Sequence, residues 1–236
     1  LPLPRHARSR GVRAPQRQRR RRQIASVVAV AALATGGAGY ALHRSADAPP
    51  PCRDAAAKLT GTWDEATRTA LRNSVMQSPL SNRSEIADRL VAAFDGYSSA
   101  WTALRTQTCE ATRVHHVQST ALLDRKIECL DGHLLDLRAL AQIFIAGRNY
   151  SANDQQFVAL LNRSIEASQT LPPLAQCEAA TTANAPAPLS SADRERIANI
   201  RALATAGLYE PAKTQSAAAL ATPHDAKARA ELQFVH

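Results

Sequence analysis

Aromatic residues are scarce in this chain, at 4% of 236 positions, and no segment sustains the apolar–polar alternation of a half-buried strand. Without that alternation a sheet has no face to bury. Helices are then left to bury the 45% hydrophobic share, and the fold class read from the pattern is all-α. Acidic residues are absent from the first 22 positions, which carry nine Arg: Arg5, Arg8, Arg10, Arg13, Arg17 and the run Arg19, Arg20, Arg21 and Arg22. Over the remaining positions 20 cations face 20 anions, so the net charge of +9 belongs to the N-terminal arm alone. Charge that is not spread over a folded face excludes a basic nucleic-acid-binding domain. Catalytic patterns are missing too. Ser119 has no Gly-x-Ser-x-Gly context, and Asp64-Glu65 and Asp131 have no partner pattern for acid–base work, so neither an enzymatic role nor a cofactor is expected.

Residues 1–22 combine Pro2, Pro4, Pro15 and Gly11 with the nine Arg and read as a basic disordered arm, unable to bury enough apolar surface to offset its ordering entropy. Ile24 to Leu42 then runs for 19 residues without a charge. As a helix it would span roughly 28 Å, close to the hydrocarbon thickness of a bilayer. A transmembrane helix is therefore expected over 23–43. The four Arg on its N-terminal side orient the arm to the cytoplasm and export residues 45–236. The same Arg run suits anionic lipid headgroups. The apolar run is rich in Ala and Gly, which keeps a cleaved signal, twin-arginine export and a soluble core helix as alternatives. The chain begins at Leu1 without a Met and stops within a helical pattern, and so reads as a piece of something longer.

A Pro-rich linker, 44–51, leads into a helical region over 52–177. A first helix is expected at about 53–77, ending before Pro79. A second starts near Ser84, where Asn82-Arg-Ser-Glu85 resembles a capping box, and carries the stripe Ile86, Leu90, Phe94, Tyr97, Trp101, Leu104. In the third, Leu123, Ile127, Leu130, Leu134, Leu137, Ala141 and Phe144 step by four and three, a heptad seam suited to antiparallel packing. A fourth, at about 153–169, is ended by Leu171-Pro-Pro-Leu174. Together these predict a four-helix bundle. Trp63, Tyr97 and Trp101 are read as core rather than as a ligand pocket.

The cysteines are Cys52, Cys109, Cys129 and Cys177, all on the side expected to be exported. An even count in an oxidising compartment predicts disulfides. With no CxxC, and with the cysteines read as lacking a close histidine partner, zinc is not expected; His115 and His116 read as exposed turn residues and His133 as too distant to join them. Of the three connectivities, helix directions in an up-down bundle select Cys52–Cys109 and Cys129–Cys177.

Residues 178–190, with Pro186 and Pro188, read as a second linker, and 191–236 as a separate helical hairpin. Gly207, Tyr209, Ala212, Ala219 and Pro223 resemble the turn and second helix of a tetratricopeptide repeat, although Pro223 sits one residue early and Ser216 replaces a large apolar residue. A plain helical hairpin is the alternative.

The order of features resembles that of myxobacterial-type membrane-anchored serine/threonine protein kinases beyond their kinase domain. The landmarks are Arg17–Arg22, Ile24–Leu42, Pro51-Cys52, Gly61-Thr-Trp-Asp64, Tyr97 with Trp101, Cys109-Glu-Ala-Thr112, Gln118-Ser119, Leu122-Leu-Asp-Arg125, Cys129-Leu130 and Leu171-Pro-Pro-Leu-Ala-Gln-Cys177. Lys126-Ile127-Glu128 departs from that pattern, and no Gly-rich loop, Val-Ala-Ile-Lys, His-Arg-Asp or Asp-Phe-Gly occurs, so this chain cannot transfer phosphate. The resemblance implies a non-catalytic span and sensor or interaction region in a bacterial inner membrane. Its partners would be the membrane and other proteins, with a homodimer as one arrangement, and not nucleic acid. A membrane-tethered helical repeat scaffold without a kinase is the alternative.

Overall fold

The computed structural model describes residues 52–181, 189–221 and 226–235. The arm with Arg19–Arg22, the span expected at 23–43 and the first linker lie outside the described residues, as does Pro223. Among the described residues all regular structure is helical, and no helix is long and apolar enough to cross a membrane. The helices are α1 (Glu65–Met76), α2 (Arg83–Arg113), α3 (Thr120–Ile145), α4 (Asp154–Gln169), the single turn α5 (Ala175–Glu178), α6 (Ser191–Thr205), α7 (Tyr209–Leu220) and α8 (Ala226–Val235), with 3-10 turns at Ala56–Leu59 and Gly147–Tyr150.

The first expected helix is divided. Gly61 takes a left-handed backbone, with φ of 72°, after the 3-10 turn. Asp64 then caps α1 by accepting from the Thr67 amide at 3.0 Å, while Thr67 Oγ1 accepts from the Asp64 amide at 2.7 Å. This reciprocal pair is a capping box, and it starts the helix at Glu65 instead of near residue 53. The break turns Trp63 inward. Its ring is 1% exposed, meets Phe94 edge-on at 4.9 Å, and donates its indole N–H to Asp95 at 2.7 Å. The box expected at Asn82 is not formed, for the Asn82 side chain makes no cap hydrogen bond.

α2 and α3 are long, antiparallel neighbours. Trp101, fully buried, donates to the Leu130 carbonyl at 2.7 Å, and Arg105 bonds Asp131 at 2.5 Å with its guanidinium 5.2 Å from the Trp101 ring. The corner between the two helices is held by Gln118, which donates to the Thr108 carbonyl at 3.0 Å and to the Thr112 hydroxyl at 2.8 Å. Ser119 caps α3 by accepting from the Leu122 amide. α1 is tied to α3 by the Ser74 hydroxyl donating to the Phe144 carbonyl at 2.8 Å. α4 packs on α2 and α3 and buries Phe157 and Leu161 completely. Each large side chain removed from water in this way contributes on the order of 1.5–3 kcal/mol.

The heptad seam of α3 is real but is only part of its buried surface. Leu130, Leu137, Ala141 and Phe144 of the seam are buried, and Ala139, Leu140 and Ile143 outside it are buried as well. The additional cover is α6, which makes the most extensive helix pairing among the described residues with α3. Ala198, Ala202 and Leu203 of α6 and Ala212 of α7 join the main core. The segment read from sequence as a separate hairpin is thus packed into the same compact unit as the bundle, within 51–236.

Candidate functional site

The four cysteines form two disulfides, Cys52–Cys109 and Cys129–Cys177, the pairing given by helix directions. Cys52 lies on the short segment before the 3-10 turn, and Cys109 lies near the end of α2. Cys129 projects from the middle of α3, and Cys177 is presented by α5, the one-turn helix that follows Leu171-Pro-Pro-Leu174. A small core lies between the two bridges: Ala55, Trp101, Leu130 and Cys177 are buried there, with Leu104, Ile127 and Leu174 packed around them. Tyr97 helps to place the Pro-Pro segment, its hydroxyl donating to the Pro172 carbonyl at 2.9 Å, and burial holds its phenol far above the usual tyrosine range.

His133 is the site residue that the sequence reading passed over. It lies four residues after Cys129 on α3, so the two share one helix face, and the Cys129-x-x-x-His133 spacing is itself a close Cys/His pair. The signal was present in the sequence; only its third member, Cys177, is 44 positions away from the histidine. The His133 ring is 8% exposed. Its Nε2 is 3.9 Å from Cys129 Sγ and 3.8 Å from Cys177 Sγ, and its Nδ1 is 3.6 Å from Cys177 Sγ. Burial pushes its pKa down from the ordinary imidazole value, and the charge of Arg201 lowers it further, which favours the neutral ring. Cys129, His133 and Cys177 are the described residues whose potential ligand atoms lie together, all within 4.8 Å of one another, with the two sulfurs joined as a disulfide. His115 and His116 do not join them. Both are exposed in the α2–α3 turn, as expected of turn residues.

An open groove of about 610 Å³ runs along the outer face of α2, between that helix and the 3-10 turn. Ser99, Thr102, Thr106, Gln107 and Glu110 line it, with Arg68 and Asp95 at one end. Arg68 is held there by Asp95 at 2.6 Å. The lining is hydroxyl-rich and bears both charges, which suits a polar peptide or a small polar ligand bound by hydrogen bonds. Trp63 and Trp101 do not line it. Both are core residues whose indole N–H groups are satisfied within the protein.

The repeat-like residues form a helical hairpin, α6–α7, turned by Gly207 in the left-handed region with φ of 79°. Leu208 N–H reaches the Leu203 carbonyl at 2.8 Å and Gly207 N–H the Ala204 carbonyl at 3.0 Å, which closes α6. Ala212 and Ala219 are buried against neighbouring helices, whereas Tyr209 is 57% exposed. Ser216, which stands where a large apolar residue was expected, is fully buried, and its hydroxyl donates to the Leu232 carbonyl of α8 at 2.8 Å. A small residue lets α8 approach that closely. In comparisons with known proteins, no family model, no curated protein and no solved structure matches this chain.

Proposed function

We propose that this chain is the non-catalytic transmembrane and extracytoplasmic sensor or interaction region of a bacterial receptor-type serine/threonine protein kinase. A single span at 23–43 carries a helical, disulfide-stapled region outside the inner membrane, and the α6–α7 hairpin begins a tetratricopeptide-type array. The observation that carries this reading is that all four cysteines, each on the side that the Arg19–Arg22 run would export, are paired in disulfides with none left free. Such pairing persists in oxidising compartments and is rare in the cytosol. A partner or polar ligand seated in the α2 groove would act on the long α2–α3 pair, and the span would pass on a change in dimerisation or helix orientation.

Six of the landmark residues hold the described fold, which is consistent with this reading. Trp63 and Asp64 start α1, Trp101 locks α2 to α3, Gln118 and Ser119 make the corner, and Tyr97 holds the Pro-Pro segment. A membrane-tethered scaffold without a kinase is the second reading. It is favoured by α8, which continues the stacking of α6 and α7.

The test is thiol labelling with a membrane-impermeant maleimide on cells with a permeabilised outer membrane. Labelling only after reduction is expected. Thiols reachable only after inner-membrane lysis would overturn the topology, and a native gene with no kinase domain upstream of Leu1 would favour the scaffold.

A further inference from the structure

We infer that Cys129, His133 and Cys177 form a redox-gated zinc site, closed as a disulfide when oxidised and opened to Zn²⁺ when that bond is reduced. The inference does not depend on the proposed function.

Three observations carry it. First, the His133 ring lies against both sulfurs, with Nε2 at 3.9 Å from Cys129 Sγ and 3.8 Å from Cys177 Sγ, and Nδ1 at 3.6 Å from Cys177 Sγ. A tetrahedral zinc bound by two thiolates and an imidazole separates sulfur from nitrogen by about 3.6 Å, given ordinary Zn–S and Zn–N bond lengths. The imidazole is therefore within reach of such a site, and a turn of its ring would aim Nε2 at the metal. Second, His133 is 8% exposed, and the hydrogen-bond partners of its ring among the described residues are these disulfide sulfurs. Sulfur is a weak acceptor, and a buried imidazole set against two disulfide sulfurs is poorly served until a better partner arrives. Third, the ligands come from two elements of different length. Cys129 and His133 are four apart on the 26-residue helix α3, whereas Cys177 sits on α5, a turn of four residues. Opening the bond requires the sulfurs to part from bonding distance to about 3.8 Å, the S···S separation in a tetrahedral zinc site. A shift of the one-turn α5 would supply that movement.

The chemistry balances with a dithiol reductant. The dithiol gives two electrons and two protons to the Cys129–Cys177 bond, becoming a disulfide itself and leaving two thiols. Zinc then displaces both thiol protons, and the bound state is Zn²⁺ with two thiolates, the neutral imidazole and a water in the fourth position. The other bridge, Cys52–Cys109, is not part of the three-ligand cluster and stays outside this switch.

The experiment uses the full chain, reduced without oxygen by a phosphine and freed of reductant, with Co²⁺ as the spectroscopic probe. One Co²⁺ per chain is expected, with sulfur-to-cobalt charge-transfer bands and the intense visible bands of tetrahedral cobalt. The oxidised chain should show neither. Cys177→Ser should abolish the bands, and His133→Ala should weaken binding at least tenfold, while the double variant Cys52→Ser, Cys109→Ser keeps them. Should a variant not fold, the native chain supplies its own control. Zn²⁺ added to the reduced protein should slow re-formation of Cys129–Cys177 and not of Cys52–Cys109, as read by alkylation and mass spectrometry. Bands that survive His133→Ala unchanged, or zinc slowing both bridges alike or neither, would overturn the inference.

Discussion

Arg201 of α6 bonds both carboxylate oxygens of Asp136 on α3, at 3.1 and 3.2 Å. This pair marks where the C-terminal hairpin meets the bundle, and it lies against the face of α3 that the heptad seam does not use. The Asp136 side chain is 10% exposed and that of Arg201 42%, so the carboxylate is the buried partner and the guanidinium remains wetted.

Removing the guanidinium leaves a buried carboxylate with less compensation. Arg201→Ala is expected to destabilise the chain by about 1–2 kcal/mol, moderated by the solvent around the arginine. Urea denaturation measures the loss. Hydrogen exchange should speed up in α6 and in the middle of α3 together, and faster exchange confined to α6 would show that the pair does not couple the two helices.

Each disulfide closes a long loop, with cysteines 57 and 48 positions apart. By chain entropy, a loop of this size contributes about 4 kcal/mol to stability, less any strain. Cys52→Ser with Cys109→Ser should lower the denaturation midpoint by the corresponding amount. If equilibrium unfolding of that variant matched the parent, the bridge would contribute nothing to the fold.

Gly207 should resist substitution for two reasons. Its φ of 79° disfavours any side chain, and an added Cβ would run into the Arg163 side chain from α4. Gly207→Ala is expected to cost about 1–2 kcal/mol from the backbone alone. Asn, which tolerates the left-handed region better, should cost less at this position. The two variants, compared by thermal melting, separate backbone strain from simple loss of flexibility.

Asp64 carries a pH dependence. The amide of Gly61 and then that of Thr67 hold its carboxyl below the usual carboxylate value. The folded state thus favours the charged form, and the stability gained is full above the unfolded value of about 3.9 and fades as pH falls through the lower folded value. The melting-temperature gap between the parent and Asp64→Ala should therefore be constant near neutrality and close below about pH 4. A gap that persists at lower pH would mean that the carboxyl holds the α1 start without its charge.

Much of this arrangement was legible in the chain. Four- and three-residue spacing placed α2, α3 and α4, because side chains on one helix face must recur at that period to be buried together. Pro79 and Leu171-Pro-Pro-Leu174 marked ends of helical segments, since proline has no amide to donate. Helix directions then brought the right cysteines together. Other features were not legible, for the reason that they depend on what lies across a gap. The start of α1 at Glu65 was decided by the reciprocal Asp64–Thr67 bonds and by burial of Trp63 against Phe94, and no periodicity signals either. The burial of Leu140 and Ile143 follows from α6, more than 45 residues on, lying against α3.

What the sequence determined by itself was the helical character of the described region and the partners of its cysteines, since both follow from local spacing and chain direction. Tertiary structure alone decided that α6 and α7 share one core with the bundle, and that His133 and Cys177 meet at 3.6 Å. Contacts between residues 44 positions apart are set by how whole helices pack, and packing is a property of surfaces rather than of the order in which residues are joined.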